Sequence, residues 1–204
     1  YSINDDSLLN SEEDKFIESI ERLSKENDLI IVSDYGHGVI TPKVAEYISN
    51  TGKFVSLNAQ VNAANIGTHS IRKYNNINCL IINANELCHE MRQREGDHKA
   101  LAIELKKIIN AKSISVTQGK TGAFLINGNK IPVTCPGFAS EVVDKVGSGD
   151  ALLGIFSICK FANLPDDVSI FFSSLCAAHQ VEIINNEKFI KKSELLKNIY
   201  HLLK

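Results

Sequence analysis

The sequence predicts an α/β fold: a mainly parallel sheet with helices on its faces, an antiparallel edge hairpin and a helical C-terminus. Three observations carry that expectation. Short apolar runs alternate with stretches of helical periodicity over the first half of the chain, two strand-like runs flank the turn Asn127-Gly128-Asn129, and no strand-like run follows Gly149.

Taken in order, Ser11 to Lys25 opens with a capping-box-like Ser11 and Asp14 and spaces Phe16, Ile17, Ile20 and Leu23 as an amphipathic helix does. LIIVS (Leu29 to Ser33) suits a strand buried on both faces. After the loop DYGHG, Thr41-Pro42 supplies an N-cap and a first-turn proline for a helix to about Ser49. FVSL (Phe54 to Leu57) reads as the next strand, followed by a long polar loop and the strand CLII (Cys79 to Ile82). Helices are expected from Ala84 and from about His98 to Ile109, then the strand SISVT (Ser113 to Thr117) and the turn QGKTG. AFLI and KIPVT form the hairpin. The last stretches read as helices from Asp150 to Phe161, Asp166 to roughly Ile183 and Ser193 to Leu203.

The chain has 204 residues, 44% of them apolar, enough for one sizeable core, and it is read as one domain, 1–204. With 22 basic against 24 acidic residues there is no cationic field to suggest nucleic acid or a membrane surface, and the default partner is a small molecule. Five scattered cysteines lack the spacing of a metal cluster or a disulfide framework, as in a cytoplasmic protein. No apolar run is long enough for a membrane span. Tyr1 in place of Met, with no leader-like stretch behind it, points to a longer polypeptide that has lost its front end.

Four stretches carry chemistry-bearing residues where ligands of parallel sheets bind, beyond the carboxyl ends of the strands. Gly119-Lys120-Thr121 imitates the tail of a phosphate-binding P-loop, but Ile114 stands where that motif needs its first glycine. What remains is Thr117, Gly119 and Gly122 at a turn, which is either an ordinary turn or a place where backbone amides approach a nucleotide. Asn83 and Glu86 head a helix; they read as an N-cap and a first-turn acid, or as an amide and a carboxylate that order waters around Mg²⁺. Asp34-Tyr35-Gly36-His37-Gly38 is a strand-end loop or a ligand site. In DKVGSGD (Asp144 to Asp150), Asp150 is either a helix-start acid or a base held beside an anion site made by the amides of Gly147, Ser148 and Gly149. The other histidines, His69 among them, share no spacing that suggests a site.

In combination and in this order, Asn83-x-x-Glu86, Thr117-x-Gly119-x-x-Gly122 and Asp144-x-x-Gly147-Ser148-Gly149-Asp150 resemble the ribokinase-like (PfkB) family of carbohydrate kinases. Within that family, SDYGHGVITPK is similar to a loop of the heptose-7-phosphate kinase domain of bifunctional ADP-heptose synthesis enzymes, which usually reads Lys where His37 stands. The resemblance covers essentially the whole chain and implies a three-layer α/β/α fold that binds ATP and Mg²⁺. It makes Asp150 the catalytic base and gives the amides of Gly147, Ser148 and Gly149 the anion hole. Asn83 and Glu86 would hold the metal's hydration shell. Thr117, Gly119 and Gly122 would lie along the nucleotide, with Ser174 and Ala178, in the segment from Ser173, near the adenine. Asp34 and Gly36 would line the cleft near the substrate.

Several positions depart from the pattern. Asn58-Ala59-Gln60 replaces Asp-Pro-Lys, which removes a cation from the phosphates; Val146 replaces a common Thr, and Ser174 a common Asn. Relatives also carry chain before this one starts, with the first strands, much of the sugar site and a lid. The expected activity is ATP-dependent phosphoryl transfer to a sugar or sugar phosphate, a heptose phosphate being favoured. The expected partners exclude nucleic acid and membrane and admit a homodimer. Two rivals stand beside it: a nucleoside or vitamin kinase of the same fold, and a non-catalytic nucleotide-binding or structural remnant.

Overall fold

The computed structural model describes residues 8–60, 69–128, 130–139, 143–144, 146–182 and 191–202. Asn129 of the expected turn, the expected helix ends at Ile183 and Leu203, and Tyr1 lie outside them. The elements follow in the order α1 (Asn10–Ser24), β1 (Leu29–Asp34), α2 (Pro42–Ser49), β2 (Phe54–Ala59), a 3₁₀ turn (Ile71–Lys73), β3 (Cys79–Asn83), α3 (Ala84–Glu90), α4 (His98–Ile108) and β4 (Ser113–Thr117). A second 3₁₀ turn (Gly119–Thr121), β5 (Ala123–Asn127), β6 (Val133–Cys135), α5 (Ser148–Phe161), α6 (Asp166–Val181) and α7 (Lys192–Leu202) complete the chain.

Hydrogen-bonded strands follow one another in sequence order, β1 to β6. β1 to β4 are parallel. The connections into β5 and β6 are too short for crossovers, so those two strands are antiparallel to their predecessors. By its contacts the chain divides into two compact units, Tyr1–Thr117 with Leu125–Pro132, and Gln118–Phe124 with Val133–Lys204.

In the first unit the two sheet faces differ. The register aligns Val32, Leu57, Leu80 and Ile114 on one face, and all four are buried. The next row on the opposite face reads Ser33, Asn58, Ile81 and Ser115, and the row before it Ile31, Ser56, Cys79 and Ser113. Ser56, Ser113 and Ser115 are as buried as the leucines. One face is thus wholly apolar in this row, while the other mixes Ile31, Cys79 and Ile81 with buried serines and Asn58, a consequence of the two-residue repeat of a strand.

Helix starts are set by local chemistry. α1 begins at Asn10, before Ser11: the Glu12 carboxylate accepts from the Leu9 N–H at 3.1 Å, so half of a capping box forms, on Leu9 and Glu12, in place of the expected Ser11 and Asp14. Thr41 caps α2 as expected, accepting from the Val44 N–H at 3.2 Å, and its hydroxyl donates to the buried Glu13 of α1. Lys43 adds ion pairs to Glu13 at 3.2 Å and Asp14 at 2.6 Å.

In the second unit α5 packs on α6, and Lys160 Nζ meets Asp166 Oδ1 at 2.5 Å across the turn between them. Leu152, Leu153, Phe156, Ile170, Leu175 and Cys176 form its core. α5 starts at Ser148, two residues earlier than the expected Asp150, so Ser148 and Gly149 belong to its first turn.

Candidate functional site

The first unit gathers five of the candidate positions at the carboxyl ends of its parallel strands. Asp34 ends β1, with Gly36 just beyond it; Asn83 ends β3 opposite Thr117 at the end of β4, and Glu86 lies in the first turn of α3. Ala59 ends β2 opposite Asp34, and the following Gln60 donates its N–H to the Asp34 carbonyl at 2.8 Å.

Asp34 is 4% exposed, and its carboxylate is engaged by protein groups. Oδ1 accepts from the Gly36 N–H at 3.0 Å; Oδ2 accepts from the Tyr74 hydroxyl at 2.7 Å and pairs with Lys73 Nζ at 2.7 Å. Burial, the largest influence, would raise the pKa of this carboxyl. The bonds from Lys73 and Tyr74, the Lys73 charge and the Gly36 amide outweigh it and hold the group below its ordinary value. Burial, reinforced by the Asp34 charge, pushes the Tyr74 phenol strongly upward, so it stays a donor. Lys73 also donates to the Ile40 carbonyl at 2.6 Å and lies 5.5 Å from the centre of the Tyr74 ring. Removing one partner of such a buried pair typically costs about 3–5 kcal/mol.

Asn83 and Glu86 form a reciprocal capping box: Asn83 Oδ1 accepts from the Glu86 N–H at 2.9 Å, and Glu86 Oε2 from the Asn83 N–H at 3.0 Å. Glu86 is 8% exposed. The box uses one carboxylate oxygen and one amide oxygen, and the acceptor capacity of a carboxylate exceeds one such bond. One carboxylate and one amide at a strand end suit an ion that keeps most of its waters, as Mg²⁺ does. Among the described residues no group of three or more His, Cys, Asp or Glu side chains could hold a metal directly.

The second unit holds the rest. Gly119 and Gly122 lie in the turn after β4, where the Gln118 N–H donates to the Gly122 carbonyl at 2.7 Å. Gly122 has φ +101°, and a Cβ there would come within 2.1 Å of the Cys135 carbonyl oxygen and 2.5 Å of the Pro136 carbonyl carbon, so no other residue fits. The loop before α5 is tied down at Asp144. The N–H groups of Val143 and Asp144 both donate to the Val181 carbonyl, at 2.9 and 3.1 Å, and Asp144 Oδ1 accepts from the Val146 N–H at 2.9 Å.

Gly147 then turns the chain at φ +81° and caps α5, its carbonyl accepting from the Ala151 N–H at 2.9 Å. The amides of a first helical turn have no acceptor within the helix and carry the positive end of its dipole. Ser148, Gly149 and Asp150 occupy that turn. Ser174 and Ala178 lie on α6; Ser174 is buried and its hydroxyl faces the Cys135 thiol, whose pKa burial raises and Ser174 partly lowers. Two hollows of about 430 and 720 Å³ lie elsewhere. One is lined by Glu21, Lys25, Tyr47 and Lys53, the other by Cys88, His89, Arg92 and Arg94, and neither is lined by a candidate residue.

Lys73, Tyr74 and His69 escape the sequence reading. Their link to Asp34 spans up to 40 positions, and no local spacing marks it. The only hint is a charged and aromatic pair, Lys73-Tyr74, placed shortly before a buried strand.

The sequence matches the family described as pfkB family carbohydrate kinase over residues 4–185. It is 26% identical over 163 residues to a protein of Campylobacter jejuni (strain RM1221) named bifunctional protein HldE, covering 78% of this chain and 33% of that protein. A protein of the same name from a Nitratiruptor species is 27% identical over 193 residues, covering 88% and 40%. The chain thus spans two-fifths or less of the length of these two relatives. Among solved structures, Arabidopsis thaliana ribokinase complexed with ribose and ATP superposes with a TM-score of 0.74 at 17% identity, over 88% of this chain and 58% of that one. Phosphofructokinase-2 from Escherichia coli in complex with potassium reaches 0.78 at 15% identity, over 97% and 64%. The fold is therefore ribokinase-like.

Proposed function

Since the chain belongs to the pfkB family of carbohydrate kinases, we propose that it supplies the nucleotide-binding and catalytic residues of a kinase that phosphorylates a hydroxyl of a sugar phosphate, a heptose phosphate being the favoured acceptor. The observation that carries the reading is the start of α5: Gly147 in the left-handed region, the first-turn amides beyond it, and Asp150 in the same turn. Asp150 takes the proton of the acceptor hydroxyl as its oxygen bonds to the γ-phosphorus; the bond from that phosphorus to the bridging oxygen breaks and ADP leaves. The amides of Gly147, Ser148 and Gly149 receive the charge that develops on the phosphoryl oxygens. Thr117, Gly119 and Gly122 lie along the nucleotide, with Ser174 and Ala178 near its base. Asn83 and Glu86 hold waters of a Mg²⁺ ion, which supplies neutralisation of the phosphate charge when bound. The favoured acceptor is supported by the resemblance of the loop Ser33 to Lys43.

In the intact protein, Asp150→Asn is expected to lower turnover by about 10²-fold or more while nucleotide binding persists. Retained turnover would sink the base assignment. Glu86→Gln keeps an oxygen able to accept from the Asn83 N–H but loses the charge. Its melting temperature should therefore stay near wild type while the Mg²⁺ concentration needed for half-maximal rate rises; an unchanged requirement would leave Glu86 a capping residue alone.

Gln60, neutral where the family pattern carries a lysine, favours a second reading in which the chain binds nucleotide without transferring phosphate. Calorimetric titration with a non-hydrolysable ATP analogue and Mg²⁺, followed by assay with sugar phosphates, separates the two: binding without turnover selects the second. Under either reading the partner is a small molecule and the compartment is the cytoplasm. The near-neutral charge balance and five reduced cysteines support this. Among the described residues no helix is long and apolar enough to cross a membrane.

A further inference from the structure

Resting on the kinase reading for the identity of the acceptor, we propose that Lys73 is the positioning residue of the acceptor-facing loop, and that the stacked rings of Tyr35 and His37 are the surface which that loop presents to a sugar phosphate.

The Asp34 carboxylate does not serve as that surface. It is buried and already accepts from Gly36, Tyr74 and Lys73, so a ligand would reach it only at the expense of those bonds. Its partner Lys73 holds both ends of the loop with one ammonium group, the Asp34 carboxylate at 2.7 Å and the Ile40 carbonyl at 2.6 Å. The span from Tyr35 to Val39 is thereby bridged at both ends by a single cation. Within it Gly36 and Gly38 both have positive φ, and between these bends the rings of Tyr35 and His37 lie parallel within 8°, their centres 6.4 Å apart.

Tyr35 is 42% exposed although it follows directly on a buried strand end. A phenol ring offers an apolar face to the C–H side of a sugar, and an imidazole offers an N–H to phosphate oxygens. The loop stands at the carboxyl end of a parallel strand, where ligands of such sheets bind.

The test titrates fructose 6-phosphate and a heptose 7-phosphate into the intact protein without nucleotide, and separately a non-hydrolysable ATP analogue with Mg²⁺. Variants are Tyr35→Ala, Lys73→Met and the double variant Asp34→Asn with Lys73→Met. The double variant leaves no uncompensated buried charge and guards against a single variant that fails to fold. Tyr35→Ala should weaken sugar-phosphate binding by about 3- to 10-fold, the worth of a lost ring contact, and the folded Lys73 variants by at least as much. Affinity for the ATP analogue should stay within about twofold, because neither Tyr35 nor Lys73 is among the residues assigned to the nucleotide. In turnover, KM for the sugar phosphate should rise by the same factor with KM for ATP unmoved.

Equal losses for both ligands, unchanged sugar-phosphate affinity in folded variants, or a wild type that binds neither sugar phosphate would overturn the assignment. Sugar-phosphate binding lost on Tyr35→Ala, in a protein that transfers no phosphate when ATP and Mg²⁺ are supplied, supports the loop assignment and sinks the kinase reading instead.

Discussion

His69 shows how much one side chain can escape a linear reading. By its spacing it is one histidine among six, yet its side chain is 4% exposed, and Nε2 lies 4.0 Å from Asp34 Oδ2 with no hydrogen-bond partner among the described residues. Burial, the largest influence, lowers its pKa below the ordinary 6.5; Asp34 and Glu90 pull it upward, and Lys73 and His37 push it further down. The folded protein therefore resists a proton that the unfolded chain accepts, and stability falls as pH drops below 6.5. Denaturant unfolding at about pH 7.5 and 5.5 should show a loss in wild type that is smaller in His69→Gln; equal losses would show that this histidine does not set the slope. Asp34 acts in a lower window. Its pKa is depressed from 3.8, so its contribution is complete above that value and disappears as pH falls through the folded one. Asp34 itself was legible as a strand-end acid. Its commitment to Lys73 and Tyr74 was not, because partners that distant in sequence meet only through the register of the sheet.

At the scale of elements, much was legible because local chemistry decides it. Thr41-Pro42 starts α2, Asn83 heads α3, and the alternation of apolar runs and helical periods yields β1 to β4 in the expected order. What periodicity did not reveal was the difference between sheet faces, since a serine in a strand-like run does not announce that it will be as fully buried as Ser56, Ser113 and Ser115 are. Nor did it reveal the start of α5 at Ser148, because two residues of Gly147-Ser148-Gly149 look alike as turn formers until one takes the left-handed conformation. Two glycines make the element scale testable. Gly122→Ala sets a Cβ against the Cys135 and Pro136 backbone at positive φ and should cost about 3 kcal/mol or more. Gly154 lies inside α5, and a methyl group placed on its Cα would meet nothing within 4 Å, so replacement by Ala should gain about 0.5–1 kcal/mol. Paired denaturant melts measure both; a mild Gly122→Ala would show that the turn after β4 relaxes.

For the molecule as a whole, the cysteines give a reading of both units at once. Cys79 lies in the first unit and Cys135, Cys159 and Cys176 in the second; all four are buried, whereas Cys88 is partly exposed. Burial raises the thiol pKa of Cys135 and Cys159, and that of Cys176 to about 11, with Cys159 adding to the last. A thiol reagent at neutral pH should therefore label Cys88 promptly and the other four only on unfolding, and mass spectrometry of labelled peptides checks it. Prompt labelling of Cys176 would show that the second unit opens readily. The α/β class was legible in the sequence because it rests on the order of elements. The division into two units was not, since its boundary passes through β5, a run of five residues with no break in its apolar pattern.

The Lys73 clamp also acts as a proofreader of strand pairing. Successive side chains of β1 point to opposite faces, so a slip of one residue against β2 would carry the Asp34 carboxylate to the far side of the sheet and offer Ser33 in its place. Lys73 and Tyr74 would then have no acid to meet, and a part-buried ammonium would lose its counter-charge. One ion pair thus penalises a one-residue slip of the first two strands, and the loop keeps its Lys73 bridge only when their side chains alternate in the right phase.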